Sequence, residues 1–296
     1  MNKYFLLFIQ VLFFLPFLAN AQNTDKISVN FGGYVHYTAI FDSRQVVAAR
    51  EGHFFLYPKK EVLNAAGDDI NAVSNFNMAV IQTRLNSKIT GPSILGAKIT
   101  GFVEAEFMGN TDSDVNGVRI RHAYIDFKWD NWSILLGQYW NPLFVVDNYP
   151  DQLGSNGGAP IQAFGRNPQI KFTYFTDNTK TSLTIASQRD YASTGEKGYS
   201  SEYLRNAIIP DLYLTTQFKV GEQLFGIGGE LKQLRPFMVS DLNYVNENKV
   251  TSYAVSGFAK FKVDNFTAKL EGLYGANLSD LTMLGGYAVK SIDPNT

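Results

Sequence analysis

Apolar and polar residues alternate along most of the chain from residue 27 onward, in stretches of about ten residues separated by turn-forming residues. In residues 266–277, Phe266 and Leu270 share one parity, whereas Lys269 and Glu271 share the other. Strand side chains point to opposite faces with a period of two and helical side chains follow a period of 3.6, so this separation predicts strands. The same separation occurs in residues 79–89, 97–107, 168–176, 181–190, 211–220, 224–232 and 250–263.

One stretch, residues 118–129, does not keep a single phase. Arg119 and Arg121 share one parity, but Asp126 and Lys128 share the other. Either a β-bulge, in which one strand carries an extra residue, shifts the phase between the two pairs, or Asp126 and Lys128 lie at a water-exposed rim. A tight turn is predicted directly after this stretch, and it favours the interpretation that Asp126 and Lys128 lie at the rim.

The connections between the predicted strands alternate between short and long. The short ones are residues 91–96, 130–131, 177–180, 221–223 and 264–265, and the long ones are 45–77, 110–117, 141–167, 191–209, 236–249 and 278–283. Outer-membrane barrels have this asymmetry, with short periplasmic turns and long external loops. Aromatic residues crowd the strand ends, as interface girdles require: Trp129, Trp132, Trp140, Tyr174, Phe218, Phe261 and Phe266. We therefore predict an all-β protein, a transmembrane antiparallel β-barrel, in preference to a soluble secreted sandwich.

The strand count suggests an incomplete barrel. We predict about twelve strands, the last at residues 284–290, followed by a loop-like end at residues 292–296. Bacterial barrels usually finish on a strand with a terminal aromatic residue, and Thr296 is not aromatic. The chain is therefore expected to be a C-terminally truncated piece of a barrel of about 16 strands, a size that encloses an aqueous channel.

The first residues and the composition place the protein outside the cytoplasm. Residues 1–21 combine Lys3, an apolar run and an A-x-A site ending at Ala21, which predicts a secretory signal peptide and a barrel domain over residues 22–296. The apolar run is shorter than a spanning helix needs, which disfavours a membrane anchor.

The chain has no Cys and a net charge of −1, so disulfides are impossible and nucleic acid is not an expected partner.

Several short motifs resemble Gram-negative outer-membrane porins, most closely the DcaP-like type. These are Gly33-Tyr34-Val35, Asp42-Ser43-Arg44, Phe54-Phe55-Leu56-Tyr57-Pro58-Lys59, Arg119-Ile120-Arg121-His122-Ala123-Tyr124 and Gly137-Gln138-Tyr139-Trp140. The resemblance implies a 16-stranded homotrimeric channel in outer-membrane lipid, whose third loop folds inward and narrows the pore for small polar solutes.

Charged residues on the predicted water-facing parity and in the third long loop (residues 141–167) are candidates for pore selectivity. They are Arg44, Arg84, Lys98, Glu104, Glu106, Arg119, Arg121, Asp147, Asp151, Arg166 and Lys171. One interpretation is a generic hydrated wall of paired charges. The other is a basic ladder of Arg84, Arg119, Arg121 and Arg166 facing acidic loop residues, which predicts a mild preference for anions. The Gly-rich third loop either folds inward or remains external.

Other functions have weaker support in the sequence. His36, His53 and His122 are the only histidines and have no ligand spacing, so we expect no metal site and no cofactor. No G-x-S-x-G motif accompanies the faint His122 and Ser133 pair, so we expect no enzyme. The alternative to a porin is a structural or adhesive outer-membrane protein that binds partners through its long first loop, residues 45–77.

Overall fold

The alternating stretches form one large antiparallel sheet. The computed structural model describes residues 26–152, 158–240 and 242–291, so the predicted signal peptide lies outside the described residues. The strands are β1 (Ser28–Tyr34), β2 (Thr38–Asp42), β3 (Val46–Ala49), β4 (Phe54–Pro58), β5 (Asn75–Ala79), β6 (Arg84–Thr90), β7 (Lys98–Glu106), β8 (Arg119–Lys128), β9 (Trp132–Trp140), β10 (Arg166–Phe175), β11 (Thr179–Ala186), β12 (Thr194–Gly195), β13 (Gly198–Tyr199), β14 (Asp211–Val220), β15 (Gln223–Leu234), β16 (Val250–Val263) and β17 (Phe266–Gly275).

Eleven of these strands pair side by side in the order β1-β6-β7-β8-β9-β10-β11-β14-β15-β16-β17. The β2–β5 pair continues the first hairpin beyond a break, and β3 and β4 form a small hairpin within the first long loop. The helix α1 (Glu202–Ala207) lies in the connection before β14. No helix in the described ranges has the length and apolar character needed to cross a membrane.

The predicted strand at residues 284–290 does not form, so that prediction is wrong. After β17 the chain instead turns into a short 3-10 helix, Leu278–Leu281. Leu278 and Leu281 are buried against Leu143 and Tyr213, which lie far away in sequence. Burying these two apolar side chains is favourable, and it draws the chain across the sheet instead of along its edge.

The sheet has an apolar face that is exposed and a polar face that is buried. On the outer face, which carries the exposed apolar side chains, Ile227 is 65% exposed and Leu270 is 62% exposed. On the inner face, which carries the buried polar side chains, Thr184 is fully buried and Lys232 is 1% exposed. A soluble protein places these residue types the other way round. The arrangement is the one expected when hydrocarbon surrounds the sheet.

A β-bulge explains the phase change in β8, so the rim interpretation is wrong. Glu104 pairs with His122, but the next residue of β7 pairs with Ile120, which leaves Arg121 as an extra residue. The Gln138 side-chain amide donates hydrogen bonds of 3.1 Å to the carbonyls of both Ile120 and Arg121. The bulge therefore places the side chain of Arg121 beside Glu104 while Asp126 remains on the inner face.

The backbone of β9 passes so close to β8 at Gly137 that only glycine fits. Gly137 has a φ of 132°, and a Cβ there would lie 2.2 Å from the carbonyl oxygen of Ala123. We expect Gly137→Ala to lower the urea midpoint of unfolding and the yield of heat-modifiable folded protein. Gly272→Ala is the control, because a Cβ at Gly272 meets nothing within 4 Å. Equal stability of the two variants would contradict the close approach.

Candidate functional site

The described part of the third long connection, residues 141–152 and 158–165, lies on the inner face, and its residues 148–151 contact β17. Asn148 Nδ2 donates to the carbonyl of Leu270 at 3.0 Å. Lys269 Nζ donates to the carbonyl of Tyr149 at 2.7 Å and forms an ion pair with Asp151 at 3.1 Å. The connection joins β9 to β10, and β17 lies five strands beyond β10 in the strand order, so these contacts hold the connection across the sheet.

The root of this connection is fixed by polar contacts and by an apolar anchor. Asn141 Oδ1 accepts a hydrogen bond from the Leu143 backbone N–H at 2.9 Å, and Asn141 Nδ2 donates to the Tyr213 hydroxyl at 3.0 Å. Leu143 is fully buried among Ala186, Tyr213 and Ala254 on the inner face. The connection therefore turns inward directly after β9.

Charged side chains from four strands and a loop meet in one group, here called the arginine cluster. Its members are Arg84, Glu104, Glu106, Arg119, Arg121, Arg166 and Asp190. The carboxylate of Glu106 lies 2.6 Å from Arg119, 3.0 Å from Arg121 and 3.4 Å from Arg84. Arg121 also contacts Glu104 at 2.7 Å, and Arg166 contacts Asp190 at 2.7 Å. The cluster contains one more arginine than carboxylates.

The arginine cluster is lined by aromatic rings. The guanidinium carbons of Arg121 and Arg166 lie 5.5 and 5.4 Å from the centre of the Trp140 ring, within the range of cation–π attraction. His122 contacts the same ring edge-on at 4.8 Å. Trp140 therefore belongs to this inner cluster and not to an interface girdle. Trp129 and Trp132 stack at 3.7 Å beside the β8–β9 turn, as a girdle pair would.

A second group of cations lines an inner cavity of about 350 Å³ near the tight turns. Lys128, Lys171 and Lys180 border this cavity, and Asp126 is the one carboxylate there. Among the described residues, none of these lysines lies within 4.0 Å of a carboxylate oxygen. Lys171 rests over the Tyr139 ring at 5.7 Å. The cavity, here called the lysine cavity, therefore has excess positive charge.

The remaining predicted site residues lie apart from these groups. Asp147 and Lys98 are exposed, the latter opposite Lys128 near a tight turn. The ion partner of Asp151 is Lys269 on β17 and not an arginine of the cluster. That acidic loop residues face the basic ladder stays a prediction. Arg44 lies directly before the first long loop and pairs at 2.9 Å with Asp69 in that loop.

Backbone hydrogen bonds hold the carboxylate of Asp69 in this loop. The N–H groups of Val62 and Asn71 both donate to it at 3.0 Å, and together with Arg44 they lower the pKa of Asp69 below its ordinary value. A lowered pKa means that the contribution to loop stability is present above the ordinary carboxyl pKa. That contribution is lost as the pH falls through the lowered pKa of the folded state.

Sequence reasoning did not identify Asp190, Asp211, Tyr213 or Asp280 as site residues. Asp190 follows β11, and Asp280 lies in the 3-10 helix after β17. Their partners are Arg166 and Lys232, which are distant in sequence. Only the parity of Asp211 within β14 gave a local signal, because it matched the polar face of that strand.

Comparisons with known proteins agree with this architecture. The family model described as DcaP outer membrane protein matches residues 23–275. Among solved structures, the outer membrane channel DcaP of Acinetobacter baumannii superposes with a TM-score of 0.61 at 18% identity, covering 84% of this chain and 64% of that one. OmpT, an outer membrane protein of Vibrio cholerae, gives 0.50 at 12% identity, covering 87% and 66%. No curated protein sequence matches the chain. The chain thus spans just under two thirds of these similar structures, and at such identities the likeness shows the fold.

Proposed function

Because the chain belongs to the DcaP outer membrane protein family, we propose that it forms a transmembrane β-barrel porin through which small hydrophilic solutes, preferably anions, diffuse. The protein is located in the outer membrane. The observation that carries the proposal is the attachment of residues 148–151, in the third long connection, to β17 across a charged inner face. A segment held in this position narrows a pore and brings solutes close to the wall charges.

Liposome swelling tests the channel directly. We expect vesicles containing the purified full-length protein to swell in solutions of small sugars and amino acids, at rates that fall steeply with solute size. A structural or adhesive outer-membrane protein would bind partners without accelerating permeation. Swelling no faster than that of empty vesicles would exclude the porin and favour this alternative.

The preference for anions depends in this proposal on the lysine cavity and on the extra arginine of the arginine cluster. We expect wild-type channels in a salt gradient to give a reversal potential whose sign indicates selectivity for anions. Lys171→Glu/Lys180→Glu should move that potential toward cation selectivity, because two cations become two anions at the wall. The control is Lys59→Glu/Lys60→Glu, which makes the same charge change in the exposed first loop. Equal shifts in both double variants would contradict a role for the cavity.

The tether at Lys269 provides a test of narrowing by residues 141–165. Lys269→Met removes the contacts to Tyr149 and Asp151, so we expect a modest rise in single-channel conductance and faster entry of larger sugars. Lys262→Met is the control, because Lys262 pairs with Glu222 at the turn end of β16. A conductance unchanged by Lys269→Met would argue against narrowing by this segment.

Assembly as a homotrimer stays a prediction, and light scattering of the detergent-solubilised protein tests it.

A further inference from the structure

Three carboxylates and one lysine lie buried together on the inner face, at the end of the strands that the long connections join. Asp211 begins β14, Glu230 lies in β15, and Asp280 comes from the 3-10 helix that follows β17; these residues are 0%, 5% and 1% exposed. Lys232 Nζ contacts Asp280 Oδ1 at 2.6 Å and Glu230 Oε1 at 3.1 Å. This group, here called the acidic pocket, carries more negative than positive charge.

The donors around the acidic pocket satisfy only half of its oxygens. Tyr213 donates to Glu230 Oε1 at 2.8 Å, and Gln188 donates to Asp211 Oδ2 at 3.2 Å. Asp211 Oδ1, Glu230 Oε2 and Asp280 Oδ2 are buried and have no hydrogen-bond donor. A buried carboxylate without full compensation is costly. The unpartnered oxygens therefore favour the binding of a positive ligand.

A further buried oxygen borders the same place. Asn277, which caps the 3-10 helix that carries Asp280, is 4% exposed, and its Oδ1 also has no donor. Its amide nitrogen donates to Ser252 Oγ, and Ser252 is the cross-strand neighbour of Lys232. This neutral amide oxygen is not part of the acidic group, and it is a further buried acceptor without a donor close to the strands that carry the pocket.

We propose that the acidic pocket binds a hard divalent cation, with Ca²⁺ as the best fit. One oxygen from each of Asp211, Glu230 and Asp280 lies within 4.8 Å of the others. Ca²⁺ takes carboxylate and carbonyl oxygens in a flexible geometry, whereas Mg²⁺ demands a near-ideal octahedron and keeps several of its waters. The ion occupies the side of the unpartnered oxygens, and Lys232 keeps the oxygens that it already contacts. The positive charge brought by the ion balances the excess of carboxylates.

The cation would attach two inward-folded segments to the wall of the sheet. Asp280 lies beside Leu281, which is fully buried and whose carbonyl accepts a hydrogen bond from the Phe164 N–H at 2.9 Å. Holding Asp280 against β14 and β15 therefore also supports the connection at residues 141–165. The inference rests on the buried pocket and not on the proposed porin activity.

The experiment uses full-length protein refolded without lipopolysaccharide and stripped of metal with a chelator. We expect the melting temperature to rise steadily with added CaCl₂, and less with MgCl₂, because a ligand that binds only the folded state stabilises it by mass action. Isothermal titration should give one Ca²⁺ per chain. Asp211→Asn/Asp280→Asn should lose both the binding and the Ca²⁺-dependent rise, whereas Glu222→Gln, in the exposed β14–β15 turn, should keep them.

A second variant keeps the test decisive if the double variant does not fold. Lys232→Gln removes the ammonium group that pairs with Glu230 and Asp280, so we expect a low folding yield without metal. Ca²⁺ present during refolding should raise that yield. The absence of any Ca²⁺-dependent rise in wild-type melting temperature would overturn the proposal. An equal rise in Asp211→Asn/Asp280→Asn, or a Lys232→Gln yield indifferent to Ca²⁺, would overturn it as well.

Discussion

Replacing Val255 and Leu270 together by arginine should prevent stable insertion of the protein into lipid vesicles. Both side chains project from the outer face, where they are 51% and 62% exposed. An arginine on the lipid face costs roughly 2–4 kcal/mol near the bilayer midplane. Two such costs are on the order of the total stability of an ordinary domain, about 5–15 kcal/mol. Heat-modifiable gel mobility and urea unfolding in vesicles measure the effect.

A control for this variant places arginines on the other face. Gln217→Arg/Lys260→Arg also yields two arginines, but on the inner-face parity of β14 and β16. We expect this protein to insert and to unfold close to wild type, because the inner face already carries charged side chains. Insertion of the Val255→Arg/Leu270→Arg variant with wild-type stability would show that lipid does not surround the outer face.

Replacing Glu106 by glutamine should cost roughly 3–5 kcal/mol of stability, the loss typical of a broken buried ion pair. The Glu106 carboxylate is fully buried, and it contacts Arg84, Arg119 and Arg121. Glutamine keeps the shape of the side chain but leaves these guanidinium groups without their shared counter-charge. The urea midpoint of unfolding in vesicles should fall. The reversal potential of channels formed by the folded fraction should shift toward stronger selectivity for anions.

The matched control for Glu106→Gln is Glu222→Gln. Glu222 pairs with Lys262 at 2.9 Å, but both side chains are largely exposed. Exposed pairs contribute about 0–1 kcal/mol, so the urea midpoint of this variant should stay near that of wild type. Similar losses in the two variants would mean that water reaches Glu106 and that the arginine cluster is not a buried network.

The two faces of the sheet could be predicted from the sequence because side-chain alternation is a local property of a strand. Leu183 and Leu270 have the outward parity, Thr184 and Lys232 have the inward parity, and the structure places all four accordingly. The six predicted charges Arg84, Glu104, Glu106, Arg119, Arg121 and Arg166 also come together in one cluster.

Features that depend on distant partners could not be predicted. The bulge at Arg121 is defined only by the register of β8 against β7, so parity alone did not separate it from a charged rim. Asp190 and Asp280 follow strands in sequence, and nothing local indicates their partners on other strands. The alternation in residues 284–290 fits a strand locally, but the burial of Leu278 and Leu281 directs the chain inward.

The measurement that tests the central claim most directly is a single-cysteine scan of Phe266–Gly275 in vesicles. The chain has no native cysteine, so each variant carries one spin label at a known position. Collisions with oxygen report hydrocarbon, and collisions with a water-soluble nickel chelate report aqueous space. The account predicts that labels at even-numbered positions such as 270 collide mainly with oxygen and that those at odd-numbered positions such as 271 collide mainly with nickel. Equal accessibility at neighbouring positions, or the reverse alternation, would contradict it.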